Sequence, residues 1–237
     1  MVHILKKFLY SFVVLLFFIS TLSSTFVDIA KAEEEQENEQ NYNQLKSENI
    51  IDDSVSEEEW NEYLKEDKTE KENIESEKEI TSYAKSSFKL KKGDVLITNG
   101  TSSKGLTGHA AIAISSKTVL HISGSGAHPS TKSFASFKKD YGKGKKWVKV
   151  YRSKKAGAGT KAGNWAIKNY KGKKYKYGIN TKLSKKNPTY CSKIIYQAYK
   201  YGASKKSIYD PGSHIISPYA LPNISSNAYK LKKVKTF

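Results

Sequence analysis

One cysteine and two histidines are the residues of this sequence whose types could carry out chemistry. Cys191 is the only cysteine in the chain, so it cannot form a disulfide bond within the chain. It could be a reactive thiol, half of an intermolecular disulfide or a small buried side chain. His109 and His121 favour the reactive thiol, because an imidazole can accept the proton of a cysteine nucleophile.

A helix predicted over residues 189–201 places Cys191 in its first turn. The backbone N–H groups of a first turn are unpaired and the helix dipole is positive there, which favours the thiolate over the thiol. The same helix has an apolar face formed by Cys191, Ile194, Ile195, Ala198 and Tyr199. A reactive cysteine and a core cysteine are therefore both consistent with this position.

The two histidines lie on neighbouring strands of a predicted hairpin. Residues 109–114 form a nearly continuous apolar run, which is typical of a central strand buried on both faces. Residues 118–122 are predicted to return beside it. His109 begins the first of these strands and His121 lies near the end of the second.

The length of the turn decides whether the two imidazoles can meet. A three-residue turn pairs Ile114 with Thr118 and places His121 opposite Ala111. His109 is two residues from Ala111, so both imidazoles then share one sheet face as diagonal neighbours. An even-numbered turn would put them on opposite faces, and His121 could not orient His109.

The remaining pattern predicts an α+β domain in which an antiparallel sheet packs on helices. Further strands are predicted over 95–98, 147–151 and 231–237, the last as an edge strand, and further helices over 134–141 and 161–170. The intervening residues 123–133 and 203–228 are predicted as loop.

Residues 1–32 have the features of a signal peptide. Lys6 and Lys7 precede the apolar run 8–18, and Ala30-Lys31-Ala32 is a small-residue cleavage site. Cleavage after Ala32 predicts a secreted protein, extracellular or associated with the cell wall. An uncleaved membrane anchor is the alternative, although five Ser and Thr residues interrupt the apolar stretch.

The rest of the chain divides by charge into two parts. Residues 33–80 hold nineteen acidic residues and five lysines, a net charge of −14. This acidic composition, poor in large apolar side chains, predicts a disordered linker or a pro-segment that lies on the basic domain and screens it. A short helical patch is possible near residues 57–65, where Trp60 and Leu64 are four residues apart. Residues 81–237 hold thirty-three basic and three acidic residues, a net charge of +30, and are long enough for one domain with its own core.

Four short motifs make residues 90–222 similar to a known superfamily. They are Gly93-Asp94-Val95-Leu96-Ile97, Gly108-His109-Ala110-Ala111-Ile112, Val119-Leu120-His121 and Tyr190-Cys191-Ser192. The chain resembles the circularly permuted papain-like hydrolases of the NlpC superfamily, with the YiiX-like group as the nearest branch. In this permuted order, histidine precedes cysteine along the chain.

The resemblance implies roles for individual residues. Cys191 would be the nucleophile, His109 the base and His121 the third polar residue. Tyr175, within a Gly-x-x-Tyr piece that begins at Gly172, would either offer its hydroxyl beside the oxyanion or simply pack. The main oxyanion donor would be the backbone N–H of Cys191.

Two lysines depart from the superfamily pattern. Lys176 and Lys193 stand where acidic residues are usual, which puts the substrate in doubt more than the chemistry. No cofactor is implied. A metal site formed by His109, His121 and His128 is an alternative, but no carboxylates cluster nearby in the sequence.

For an exported member of this superfamily, we expect a cysteine peptidase or amidase that cleaves an amide bond, with a cell-wall peptide as the first candidate substrate. An amidase, thioesterase or acyltransferase acting on lipid-linked acyl groups is the enzymatic alternative. A non-catalytic basic module that binds the cell wall is the third. The charge suits an anionic wall polymer or a membrane surface. The tyrosines show no stacking pattern that predicts a specific nucleic-acid partner, and a monomer is expected.

Overall fold

The computed structural model describes residues 41–77, 88–101 and 108–237. The chain divides into two compact units between Gln44 and Leu45, and only residues 41–44 of the first unit are described. All helices, strands and site residues named below belong to the second unit. The predicted signal peptide and residues 33–40 lie outside the described residues. Within the described ranges, no helix is long and apolar enough to cross a membrane.

The second unit contains a six-stranded sheet in which neighbouring strands run antiparallel. Its strands are β1 (Val95–Thr98), β2 (His109–Ala113), β3 (Thr118–His121), β4 (Ser130–Ser133), β5 (Val148–Ser153) and β6 (Leu231–Thr236). They lie in the order β4-β3-β2-β1-β5-β6. Every residue of β1 and β2 is buried, as expected of apolar strands at the centre of a sheet.

The hairpin that carries the two histidines has the predicted register. Ile112 lies opposite Leu120, and the amide of Ile114 donates to the carbonyl of Thr118 at 2.9 Å. This pairing requires the three-residue turn and places His121 opposite Ala111. The prediction that both imidazoles share one sheet face is therefore confirmed.

Four α-helices of the unit are described over their full length. They are α1 (Glu57–Ser76), α2 (Phe134–Tyr141), α3 (Ala158–Tyr170) and α4 (Cys191–Gln197), and a π-helix continues α4 over Ala198–Ala203. α2 packs on the sheet face that carries Leu96, Ala111 and Val119, where Phe137 is fully buried. α3 and α4 also pack against β2. The α+β class predicted from the sequence is confirmed.

Two predicted boundaries were wrong. Residues 130–133 form β4 rather than loop; the strand is polar and largely exposed, so it lacks the apolar alternation that reveals a strand. α3 begins three residues before its predicted start, after Gly157, whose positive φ of 74° lets the chain turn into the helix.

The acidic segment differs most from the sequence interpretation. A disordered linker is wrong for residues 45–77, because they contain the 20-residue helix α1. Ser56 and Glu59 form a capping box at its start, and Trp60, Tyr63 and Ile74 are buried at helical spacing. The sequence predicted only a short helical patch near residues 57–65, and the observed helix extends eleven residues further. Whether the segment is removed as a pro-segment stays a prediction.

Asp94 links three parts of the fold and gives a first testable prediction. This carboxylate is 1% exposed and accepts hydrogen bonds from Arg152 Nε, Arg152 Nη2 and the amide of Lys91, each at 2.7 Å. We expect Asp94→Asn to lower the free energy of unfolding by about 2 kcal/mol, since Arg152 loses its buried partner. Urea unfolding measures this change. The exposed Asp53, which pairs with Lys46, is the control, and Asp53→Asn should have no measurable effect. Equal stabilities of the two variants would contradict the prediction.

Candidate active site

His109 and His121 form a buried imidazole pair. His109 Nε2 and His121 Nδ1 are 2.9 Å apart, and both residues are 2% exposed. The ring of Tyr141 stacks on His109 with centroids 4.7 Å apart, and Phe137 lies 5.8 Å away on the same helix. α2 thus provides an aromatic wall that fixes both rings against the sheet.

The backbone before His109 requires glycine. Gly108 has a φ of 69°, a left-handed conformation that disfavours side chains. A Cβ at this position would lie 2.6 Å from the ring of Tyr219. Gly108 therefore allows the backbone to pass close to Tyr219 just before β2 begins at His109.

Both imidazoles are neutral at pH 7. Burial lowers the pKa of His109 well below its usual value, and the neighbouring His121 and Lys132 lower it further. Burial also lowers the pKa of His121 to about 4, with Lys132 contributing, while Asp140 opposes the change. Lys132 and Asp140 form an ion pair at 2.6 Å beside these rings.

Neutral imidazoles restrict the protons in the pair. A neutral ring carries one N–H, so only one of the two facing nitrogens can donate. For His109 Nδ1 to accept the proton of a nucleophile, His109 Nε2 must carry the N–H and donate to His121 Nδ1. This tautomer leaves His109 Nδ1 as the free basic atom of the pair.

The buried histidines make stability depend on pH. The pKa of His121 is about 4 in the folded chain and about 6.5 when unfolded, so the unfolded state binds more protons between these values. Stability is then complete above pH 6.5 and is lost as the pH falls toward 4. We expect a loss of about 2 kcal/mol at pH 5 from His121 alone, measured by urea unfolding at pH 7.5 and pH 5. A His109→Asn, His121→Asn double variant should lose less stability over this interval; an equal loss would assign the dependence to other groups.

Cys191 is the first residue of α4 and lies beside β2. Its thiol contacts the backbone of Ala110, and Cys191 and Gly108 line the same cavity. Of the two chain neighbours of His109, Ala110 therefore contacts the thiol and Gly108 borders the cavity. Cys191 is 8% exposed. Burial raises the pKa of its thiol, and contacts with Ala110 and Ser192 oppose this only in part.

Burial therefore opposes the thiolate that the start of a helix favours. Within the described residues, no hydrogen bond joins the Cys191 thiol to His109 or His121. The structure brings the two histidines together and places the thiol next to the same strand.

The cavity beside Cys191 is small and mostly apolar. Its volume is about 20 Å³, which is room for about one water molecule. Besides Gly108 and the α4 residues Cys191 and Ser192, the walls come from three parts of the chain: Tyr63 of α1, the residues Tyr177, Ile179 and Tyr190 before α4, and the residues Ile215, Ile216 and Pro218 after it. Sequence reasoning missed Tyr63, because the segment that carries it was interpreted as a linker.

The comparison with protein families identifies this architecture. The family described as "Lipoprotein N-acylation protein LnsA-like" matches residues 62–237. The chain belongs to this family. It is an NlpC-like family of the permuted papain type, as the sequence motifs indicated, and membership indicates an enzyme that acts on acyl groups. The YiiX-like branch stays a prediction.

One similar curated protein extends the match toward the start of the chain. An uncharacterized 30.3 kDa protein of Bacillus thuringiensis is 33% identical over 276 residues, covering 98% of this chain and 100% of its own length. No solved structure matches the chain. Because the LnsA-like match begins at residue 62, most of α1 belongs to the family region.

Tyr175 and His128 are not among the described residues that line the cavity beside Cys191. Tyr175 packs its ring edge-on against Tyr170 with centroids 5.7 Å apart. Its backbone carbonyl oxygen lies 2.9 Å from His128 Nδ1. His128, which the sequence offered as a third metal ligand, therefore makes a hydrogen bond to the backbone. Tyr177, two residues after Tyr175, lines the cavity.

Lys193 holds the loop that precedes α4. It is fully buried, and burial lowers its pKa to about 7. Its Nζ donates to Asn180 Oδ1 at 2.6 Å and to the carbonyl of Pro188 at 3.2 Å. This lysine therefore holds the loop before α4 rather than facing substrate, which explains how a cation can stand at this position.

Proposed function

We propose that this chain is a cysteine enzyme that transfers or hydrolyses acyl groups carried by lipids or lipoproteins. The observation that carries the proposal is the 2.9 Å contact between His109 Nε2 and His121 Nδ1, beside the strand that the Cys191 thiol contacts. This contact fixes the orientation of His109 and leaves its Nδ1 atom as a base. His109 belongs to β2, the strand whose backbone the Cys191 thiol contacts.

The proposed chemistry proceeds through an acyl-enzyme. His109 Nδ1 accepts the thiol proton, and Cys191 Sγ attacks the acyl carbonyl. The tetrahedral oxyanion is stabilised by backbone N–H groups at the start of α4. The bond to the leaving oxygen or nitrogen breaks, and this atom takes the proton from His109. An acceptor amine or water then attacks the thioester and restores the thiol.

The choice of acyl groups rests on two points. The family description names lipoprotein N-acylation, and the walls contributed by Ile179, Ile215, Ile216 and Pro218 suit an apolar chain better than a polar peptide. Cleavage of a cell-wall peptide remains the alternative, and the charge of +30 on residues 81–237 is what favours it. The same charge would hold the exported enzyme at an anionic membrane or wall surface.

A mass measurement tests the proposal. The purified protein is incubated with vesicles of phospholipid that carries isotope-labelled acyl chains, with and without a lipoprotein-derived peptide bearing a free N-terminal amine. We expect a hydroxylamine-sensitive acyl adduct on Cys191 and, with the peptide present, an N-acylated product. Release of fragments from cell-wall peptide, without an acyl adduct from lipid, would support the alternative. The absence of both reactions would overturn the enzymatic proposal.

A further inference from the structure

We infer that α1 is a lid over the Cys191 cavity, that its Tyr63 side chain occupies the position of the acyl substrate, and that turnover requires the lid to lift. The identity of the substrate in this inference rests on the proposed function. The presence of the lid rests on the geometry of α1.

The cavity cannot hold a substrate while α1 is in place. Tyr63 is 3% exposed and forms part of the cavity wall next to Cys191. The remaining volume of about 20 Å³ accommodates about one water molecule and no acyl group. Trp60 stacks on Tyr63 with ring centroids 5.1 Å apart and keeps it directed inward.

α1 is attached to a segment that forms another part of the cavity wall. Three carboxylates of α1 accept hydrogen bonds from side chains of residues 213–223: Ser213 Oγ to Glu66 at 2.6 Å, Ser217 Oγ to Asp67 at 2.5 Å, and Asn223 Nδ2 to Glu70. The same segment supplies Ile215, Ile216 and Pro218 to the cavity. These contacts close the site by joining its two sides.

Few apolar side chains attach α1 to the rest of the domain. Only three large apolar side chains of this 20-residue helix are buried: Trp60, Tyr63 and Ile74. The buried indole N–H of Trp60 has no hydrogen-bond partner among the described residues, so closure leaves one polar group unsatisfied. A helix with few buried apolar contacts and its own capping box can move away as a unit.

Both ends of the lid remain tied to the domain. Before α1, the amide of Asp52 donates to the carbonyl of Ile179 at 2.8 Å. At the end of α1, Lys149 Nζ donates to the carbonyl of Ile74 at 2.5 Å. Lifting is therefore a local displacement between two anchors, which does not require removal of the segment by cleavage.

Alkylation of Cys191 tests the lid without reference to activity. Because the chain has a single cysteine, iodoacetamide incorporation into the full-length protein reports access to this thiol. Two variants are compared with the wild type at one pH: Tyr63→Ala, and a triple variant combining Glu66→Gln, Asp67→Asn and Glu70→Gln. We expect both to be alkylated about tenfold faster or more, and both to show higher acyl turnover. Glu72→Gln, on the exposed side of α1, is the matched control and should behave as the wild type.

The outcomes separate the lid from the function. Circular dichroism shows which variants are folded, and the triple variant keeps the test decisive if Tyr63→Ala unfolds. If the variants are alkylated faster but neither they nor the wild type show acyl turnover, the lid is supported and the proposed function is overturned. Alkylation at the wild-type rate in the folded variants would overturn the lid. A fall in turnover in both folded variants of an active enzyme would also overturn it, since α1 would then help to bind substrate.

Discussion

Cys191→Ala is expected to abolish acyl transfer. We expect the rate to fall by at least about 10³-fold, because the thioester cannot form without the sulfur and binding alone gives only residual catalysis. The measurement is the release of labelled acyl product together with the mass adduct on the protein. The adduct should disappear completely from this variant.

The alternative interpretation of Cys191 as a core side chain gives the opposite pattern. Cys191 is 8% exposed and begins the buried face of α4, so alanine removes one buried sulfur. A purely structural cysteine would lower the unfolding midpoint while leaving activity intact in the folded protein. Full activity of Cys191→Ala would end the proposal of an acyl-enzyme.

His109→Ala has the second largest expected effect. We expect kcat to fall by about 10²–10⁴-fold, because the thiol loses the group that accepts its proton. In the wild-type enzyme the acid limb of kcat/KM should lie below pH 6.5, since burial lowers the pKa of His109 well below that value. His109→Ala should lose this limb.

His121 provides the comparison for His109. In the proposed mechanism His121 contacts His109 and not the substrate, so His121→Ala should reduce kcat less than His109→Ala and keep the acid limb. Measuring the pH profile of both variants distinguishes base from positioning residue. If both variants lose kcat equally and neither pH profile keeps an acid limb, proton transfer belongs to the pair of histidines as a whole.

The imidazole pair could be predicted from the sequence because local rules determine it. The alternation of side chains in β2 and β3, together with a three-residue turn, is sufficient to place His121 opposite Ala111. Helix α2 was also predicted with its observed bounds, since Phe134, Phe137 and Tyr141 recur at helical spacing. Neither result depends on distant parts of the chain.

The state of Cys191 could not be predicted in the same way, because it depends on a helix more than a hundred residues away in sequence. The position of Cys191 at the start of α4 favours the thiolate, but Tyr63 of α1 lines the cavity beside it and burial raises the pKa of the thiol. The choice between Tyr175 and Tyr177 is equally non-local. It depends on how the loop folds back, and Lys193 and Asn180 hold that loop.

Trp60 gives the molecule an intrinsic optical signal. All three tryptophans lie in the described ranges. Trp60 is fully buried, whereas Trp147 and Trp165 are partly exposed. Indole emission shifts to longer wavelength when water reaches the ring, so opening of α1 should redden the fluorescence of the unlabelled protein. Mixing the enzyme with lipid in a stopped-flow spectrometer would then time the opening step separately from chemistry.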